Sequence, residues 1–159
     1  MEIIYKNFYK TLCVRDYECD LQGIVNNAVY FSYLEHCRHT FFKSIGIEFA
    51  SMHDEGKDIV VLKVNMKYVS PLKSGDSFII RTDILEESNF KLKFNQKIYH
   101  YPSDILVLDA KTTLVCLKNN KPSINASIVD IVKKNLSLHN VKSEDRVLER
   151  NIENVRNSL

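Results

Sequence analysis

The residues best suited to chemistry lie in one short run, Asp20-Leu21-Gln22-Gly23-Ile24-Val25-Asn26-Asn27. A carboxylate is ionised near neutral pH and can serve as general base on water or attack a carbonyl carbon directly. Asn27 stands where a helical pattern begins, and a helix start exposes unpaired N–H groups carrying roughly half a positive charge. Such groups can polarise a thioester carbonyl and hold the oxyanion that forms on attack, an effect of about 3 kcal/mol per well-placed donor. Acidic residues before helices are also common caps, so spacing by itself leaves a capping role for Asp20 open.

Other constellations carry less. Glu35, His36 and His39 share a helical strip and resemble metal ligands in spacing, but no third ligand motif supports zinc, and a solvated face explains them. Cys13, Cys19, Cys37 and Cys116 stand singly, without paired spacing, and read as reduced thiols and not as nucleophiles. Lys91, Lys93 and Lys97, with Lys118 and Lys121 near the last turn, offer point charges to the phosphates of coenzyme A, although a solvated strand face suits them too.

The elements that position these residues follow from hydrophobic period. Tyr9 to Val14 alternates as a first strand. Tyr30, Leu34, Cys37, Phe41 and Ile45 then recur at helical spacing, flanked by Phe31, Arg38 and Phe42, which predicts a long and largely enclosed helix. Asn26 or Asn27 suits its start and Gly46 its end. Period two returns at Leu62 to Tyr68, Phe78 to Leu85, Phe90 to Ile98 and Ile105 to Leu117. Pro122 and Ser123 are expected to open a short helix with Ile124, Ile128, Ile131 and Val132 on one side. A polar tail, 136–159, follows a domain expected over 1–135, with a marginal helix from Ser143.

With 159 residues, 45% of them hydrophobic, the chain can bury one sizeable core. A formal net charge of +2 argues against a nucleic-acid partner. No apolar run reaches signal-peptide or membrane-spanning length, so a cytoplasmic protein without a membrane partner is expected.

Asp20-x-x-Gly23-Ile24-Val25-x-Asn27-x-x-Tyr30-Phe31 resembles the signature loop of hotdog-fold thioesterases of the 4-hydroxybenzoyl-CoA thioesterase and YbgC-like families. Tyr68-Val69-Ser70-Pro71-Leu72-Lys73-Ser74-Gly75-Asp76 is similar to the turn that follows the first strand after the hotdog helix. The resemblance implies an α+β hotdog fold, with one long helix wrapped by a curved five-stranded antiparallel sheet and a short C-terminal helix. It implies an acyl-CoA thioesterase with Asp20 as catalytic side chain, the backbone N–H of Asn27 at the carbonyl, and Gly23 within the same loop. Tyr30 and Leu34 would line the acyl slot, Lys91, Lys93 and Lys118 would meet coenzyme A, and a homodimer or homotetramer would complete the site. No cofactor or metal is implied. The run also resembles the Asp-x-Asn-x-His-Val-Asn-Asn stretch of plant thioesterases acting on acyl carrier protein, with Gln22 for the asparagine and Ile24 for the histidine. Ile24 and Asn27 weigh against a hydratase, and Asp20 against a non-catalytic acyl-thioester sensor.

Overall fold

The computed structural model describes residues 1–123 and 127–139. Strand β1 (Glu2–Cys13) leads through a 3-10 turn (Asp16–Glu18) to helix α1 (Val29–Ser44) and a short helix α2 (Phe49–Asp54). Strands β2 (Lys57–Tyr68), β3 (Ser77–Ser88), β4 (Lys91–Tyr101) and β5 (Leu106–Lys118) follow, then β6 (Lys121–Pro122) and helix α3 (Ile128–Leu138). The sheet is antiparallel and hotdog-like, ordered β1-β3-β4-β5-β2, with β6 pairing β5. The segment containing α1 thus carries the chain from one edge strand to the other.

The helix forms where its stripe predicts because one side is aromatic and meets the sheet. Phe41 lies 5.4 Å from Phe8 and 5.8 Å from Phe94 between ring centres, and Tyr33 lies 4.7 Å from Phe78. Ring pairs at these separations favour tilted and edge-to-face contact over stacking, and the observed planes obey that. The helix ends where Gly46 takes φ +77°, a conformation costly for residues bearing a Cβ, so the chain can turn sharply into Ile47.

Alternation sorts the strands into two faces. Leu108, Ala110, Thr112 and Leu114 of β5 point toward α1, while Asp109 and Lys111 join Lys63, Lys67 and Lys93 around a shallow outer depression of about 310 Å³. On β2 an extra residue, Leu62, interrupts pairing between Val61 and Lys63. Consequently Tyr68, Met66 and Val64 below the bulge and Val61 above it all align with the inward row of β5.

Several boundaries differ from expectation. Strand β1 begins at Glu2 because its pairing with β3 tolerates two irregularities, at Ile3/Tyr5 and Tyr5/Phe8, which blur the alternation. Pro122 does not open the last helix: Lys121–Pro122 folds back on Leu117–Lys118, and Ser127 caps α3 by accepting from the N–H of Asp130. The expected domain limit at 135 falls inside α3, whose Ile128, Val129 and Val132 are buried. Ile124 and the tail from 140 onward lie outside the described residues. Among the described residues no helix is long and apolar enough to cross a membrane.

Phe94 has no exposed surface and touches both Phe41 and Phe42. Phe94→Ala is expected to lower the unfolding free energy by about 3–5 kcal/mol, read from urea denaturation followed by circular dichroism.

Candidate active site

The run from Glu18 to Asn26 folds into a narrow antiparallel ribbon that ends at the helix. Asn26 N–H donates to Glu18 O at 3.0 Å, Cys19 bridges Val25, and Asp20 N–H donates to Ile24 O at 2.8 Å. Gly23 closes the tip: its N–H donates to Asp20 O at 3.0 Å and its φ of +77° is what the reversal requires. The far side of the ribbon leans on the segment after β2, through Val25 N–H to Leu72 O at 2.9 Å and a bridge from Ile24 to Lys73.

Asp20 is exposed at this tip. Its Oδ1 accepts from Gln22 N–H at 2.8 Å and, at 3.4 Å, from Ile24 N–H. Among the described residues Oδ2 has no partner. One oxygen therefore anchors the side chain while the other faces outward, an arrangement in which a carboxylate can take a proton or attack without losing its support.

At the ribbon's other end the helix start is held by two peptides. In the Asn27–Ala28 peptide the N–H donates to Asn26 Oδ1 at 2.9 Å, and the carbonyl accepts from the hydroxyl of Tyr68 at 3.1 Å. In the preceding peptide, Asn26–Asn27, the carbonyl accepts from Val29 N–H at 2.9 Å, up the helix axis. In a trans peptide the N–H points opposite to the C=O, so the Asn27 N–H points out of the helix's positive end. Among the described residues nothing accepts from it. Ala28, not an asparagine, is the residue at the helix boundary, and Asn26 works two positions further out.

Asp20 lies opposite Ile24 on the ribbon, and Asn27 is three residues further, a backbone separation of roughly 10 Å. That gap is about what an aspartate side chain, an attack distance of about 3 Å and a hydrogen bond of about 2.9 Å fill together.

A tyrosine secures the base of the ribbon. Tyr33 on α1 donates to Glu18 Oε2 at 2.5 Å, and the same oxygen accepts from Arg15 N–H at 2.9 Å. Burial, and then the bond to Glu18, push the Tyr33 phenol up, so it stays protonated and donates. Neither Glu18 nor Tyr33 stands out in the sequence: Glu18 sits in a polar run, and Tyr33 lies just off the stripe led by Tyr30. The pattern that would reveal them is a spacing of fifteen residues between a carboxylate and a phenol, which no local period encodes.

The remaining expected site residues are distributed differently. Tyr30 and Leu34 are core residues, 3% and 1% exposed, and Tyr30 packs edge-on to Tyr33 and Tyr68. Lys93 pairs with Glu87 at 2.8 Å on the outer sheet face. Lys91 pairs in register with Val115 and Lys118 with Lys57, at the end of the sheet away from Tyr68 and the helix start. Within one chain these lysines are not brought together with Asp20. His39 approaches Glu35 at 3.9 Å and packs against Phe49, while among the described residues no three metal-ligating side chains converge. Burial pushes the Cys37 thiol up to about 11, as expected of a core residue in contact with Thr82.

The profile of the thioesterase-like superfamily matches residues 14–136. A chloroplastic acyl-acyl carrier protein thioesterase of Arabidopsis thaliana is 41% identical over 108 residues, covering 68% of this chain and 57% of that protein. The chain therefore spans less than two thirds of this plant relative's length. A hypothetical protein of Aquifex aeolicus aligns with a TM-score of 0.72 and 33% identity over 81% of this chain and 98% of its own. A 1,4-dihydroxy-2-naphthoyl-CoA thioesterase from Synechocystis has a TM-score of 0.74 at 16% identity, covering 82% of this chain and 98% of that one, and shares the fold.

Two measurements check this geometry. Tyr33→Phe is expected to destabilise the fold by about 1.5–3 kcal/mol in urea denaturation, because a bond to a carboxylate is lost. In mildly alkaline buffer, iodoacetamide is expected to label exposed Cys13 in the native protein, and Cys37 only after unfolding, as read by peptide mass spectrometry.

Proposed function

The chain belongs to the thioesterase-like superfamily, and from that membership we propose that it hydrolyses acyl thioesters, using Asp20 and the backbone N–H of Asn27. The observation that carries the reading is the pair of groups at the two ends of one ribbon that have no partner among the described residues: Asp20 Oδ2, and the Asn27 N–H at the positive end of α1. Asp20 acts as general base on water or as nucleophile through a mixed anhydride, and the Asn27 amide takes up the negative charge developing on the carbonyl oxygen. Gly23 serves by holding the tip that presents Asp20.

The acyl group is carried by coenzyme A in this reading, as in the Synechocystis enzyme's name, and the finer place of the chain is among the 4-hydroxybenzoyl-CoA thioesterase and YbgC-like hotdog proteins. Acyl carrier protein is the second carrier, favoured by the 41% identity to the Arabidopsis thioesterase. The working form is a homodimer or homotetramer, a reading supported by the edge strand: Val61, Leu62, Tyr68 and Val69 stand exposed along β2 and just beyond it.

A thiol-release assay over acyl-CoAs and acyl carrier protein thioesters tests the chemistry. Asp20→Asn keeps an oxygen for the Gln22 N–H but removes the base, and is expected to lower kcat by about 10²–10⁴-fold with little change in KM. Hydrolysis that survives this substitution would rule Asp20 out. Light scattering on the same preparation is expected to give two or four times the chain mass, and a monomer would remove the shared-site part of the reading.

A further inference from the structure

Asn27 joins two peptides at the start of α1, and the helix holds only one of them. The carbonyl of the Asn26–Asn27 peptide accepts from Val29 N–H at 2.9 Å, whereas the Asn27 carbonyl accepts from no backbone N–H among the described residues. Phe31 N–H, the donor four residues on that a regular α-helix would supply, goes to Ala28 O at 3.2 Å instead. The first turn is thus closed by bonds of the tighter three-residue kind on either side of Asn27 O, which is left over. The group that meets it comes from the sheet: the hydroxyl of Tyr68, the last residue of β2, donates to Asn27 O at 3.1 Å.

Apart from this bond, the surroundings of Tyr68 do not call for a hydroxyl. The ring packs edge-on to Tyr30 at 5.6 Å between centres, a contact that phenylalanine makes as well. Tyr68 is 46% exposed and ends an edge strand, so water is within reach of the hydroxyl, and exchanging water for Asn27 O adds little to stability. Tyr30 is 3% exposed and fixed in the core, so the contact between the two rings aims the Tyr68 phenol at the helix start. The N–H of the same Asn27–Ala28 peptide is held by Asn26 Oδ1 at 2.9 Å. With the body of α1 fixed by its aromatic contacts to the sheet, the plane of this peptide sets where the Asn27 Cα lies, and with it the N–H of Asn27 on the other side of that atom.

We propose that Tyr68 is a positioning residue of the hydrolytic site: its hydroxyl holds the Asn27–Ala28 peptide and through it keeps the Asn27 N–H aimed at the oxygen of a bound thioester carbonyl. Tyr68 acts on the backbone and on no reacting atom. The inference rests on the thioesterase reading and adds to it a residue from a strand that contributes to neither end of the ribbon. Removing the hydroxyl leaves Asp20 as it is, because the ribbon leans on Leu72 and Lys73 through backbone pairing that Tyr68→Phe does not touch. The carbonyl oxygen carries little charge in the bound thioester and much more at the transition state, so a donor that loses its direction costs rate and leaves binding nearly unchanged.

The test joins kinetics to the infrared band of the bound carbonyl. In Tyr68→Phe, kcat on the best acyl-CoA of the panel is expected to fall about 5–30-fold with KM within about twofold and an unchanged melting temperature. Octanoyl-CoA and benzoyl-CoA, each labelled with ¹³C at the carbonyl, are then bound to the Asp20→Asn variant, where the C=O stretch is expected below its position in solution; adding Tyr68→Phe should return it toward that position. Asn26→Ala frees the other end of the same peptide, so the kcat losses of the two variants should combine to less than their product, and Asn26→Ala takes the place of Tyr68→Phe if that variant does not fold. S-octyl-CoA, a thioether without the carbonyl, should bind the wild type and Tyr68→Phe alike. Hydrolysis by the wild type with kcat and band both unmoved in Tyr68→Phe overturns the inference and leaves the thioesterase reading intact. A band that moves back in Tyr68→Phe although the wild type hydrolyses nothing upholds the inference and removes that reading. Weaker binding of S-octyl-CoA to Tyr68→Phe overturns it by showing that Tyr68 touches the ligand itself. If Asp20→Asn still turns over, the band is not needed and the split between kcat and KM decides. A bound carbonyl at its solution frequency, or a panel in which nothing binds, overturns the inference together with the role of the Asn27 N–H.

Discussion

One peptide, between Asn27 and Ala28, is tied at both ends, and the rest of the site takes its orientation from it. Its N–H is held by the Asn26 side chain and its carbonyl by the Tyr68 hydroxyl, which belongs to a strand far away in the chain. With that plane fixed and the preceding carbonyl bonded to Val29, the Asn27 N–H has one direction left, outward from the helix end. A donor already aimed does not have to be reorganised when charge appears on a bound carbonyl, which is the condition under which a backbone amide helps a reaction most. The Glu18–Tyr33 bond supplies the complementary restraint, since it ties the ribbon bearing Asp20 to the same helix.

Much of the fold was legible because burial leaves a period. The stripe through Tyr30, Leu34, Cys37 and Phe41 is the side of α1 that meets the sheet, and the alternation in β2 to β5 is the division between inner and outer faces. Local turn chemistry was legible too, at Gly46, read as the end of the helix and found at φ +77°. What escaped was set by contacts between distant residues. The start of α3 depended on whether Pro122 would pair with Leu117, and the six-residue α2 is too short to show a period. The lysines of β4 and β5 read as one basic group, yet pairing spreads them along the sheet, Lys93 toward Glu87 and Lys118 toward Lys57. Asp20 and Asn27 were visible as types and spacing, whereas the ribbon between them, with one carboxylate oxygen held and one free, depends on hydrogen bonds that no pattern of residue types specifies.

The core mixes two demands. Phe41, Phe42 and Phe94 supply tight apolar contact, while Arg38, Gln96, Thr82 and Thr112 place polar groups in the layer immediately beside them. A core chosen for stability alone would fill that second layer with aliphatic side chains. Its polarity fixes the rotation of α1 on the sheet, since Gln96 binds both the Leu34 carbonyl and the Thr82 hydroxyl.

The extra residue at Leu62 bears on what the free edge of β2 can accept. An uninterrupted free edge would accept another strand at any sliding position and could keep recruiting strands without limit. Here the edge is broken into two runs that are out of phase, Lys57–Val61 and Lys63–Tyr68, so a straight neighbour can zip along one and loses its pairing at the other. The kink thereby acts as a stop against fibre growth along this edge.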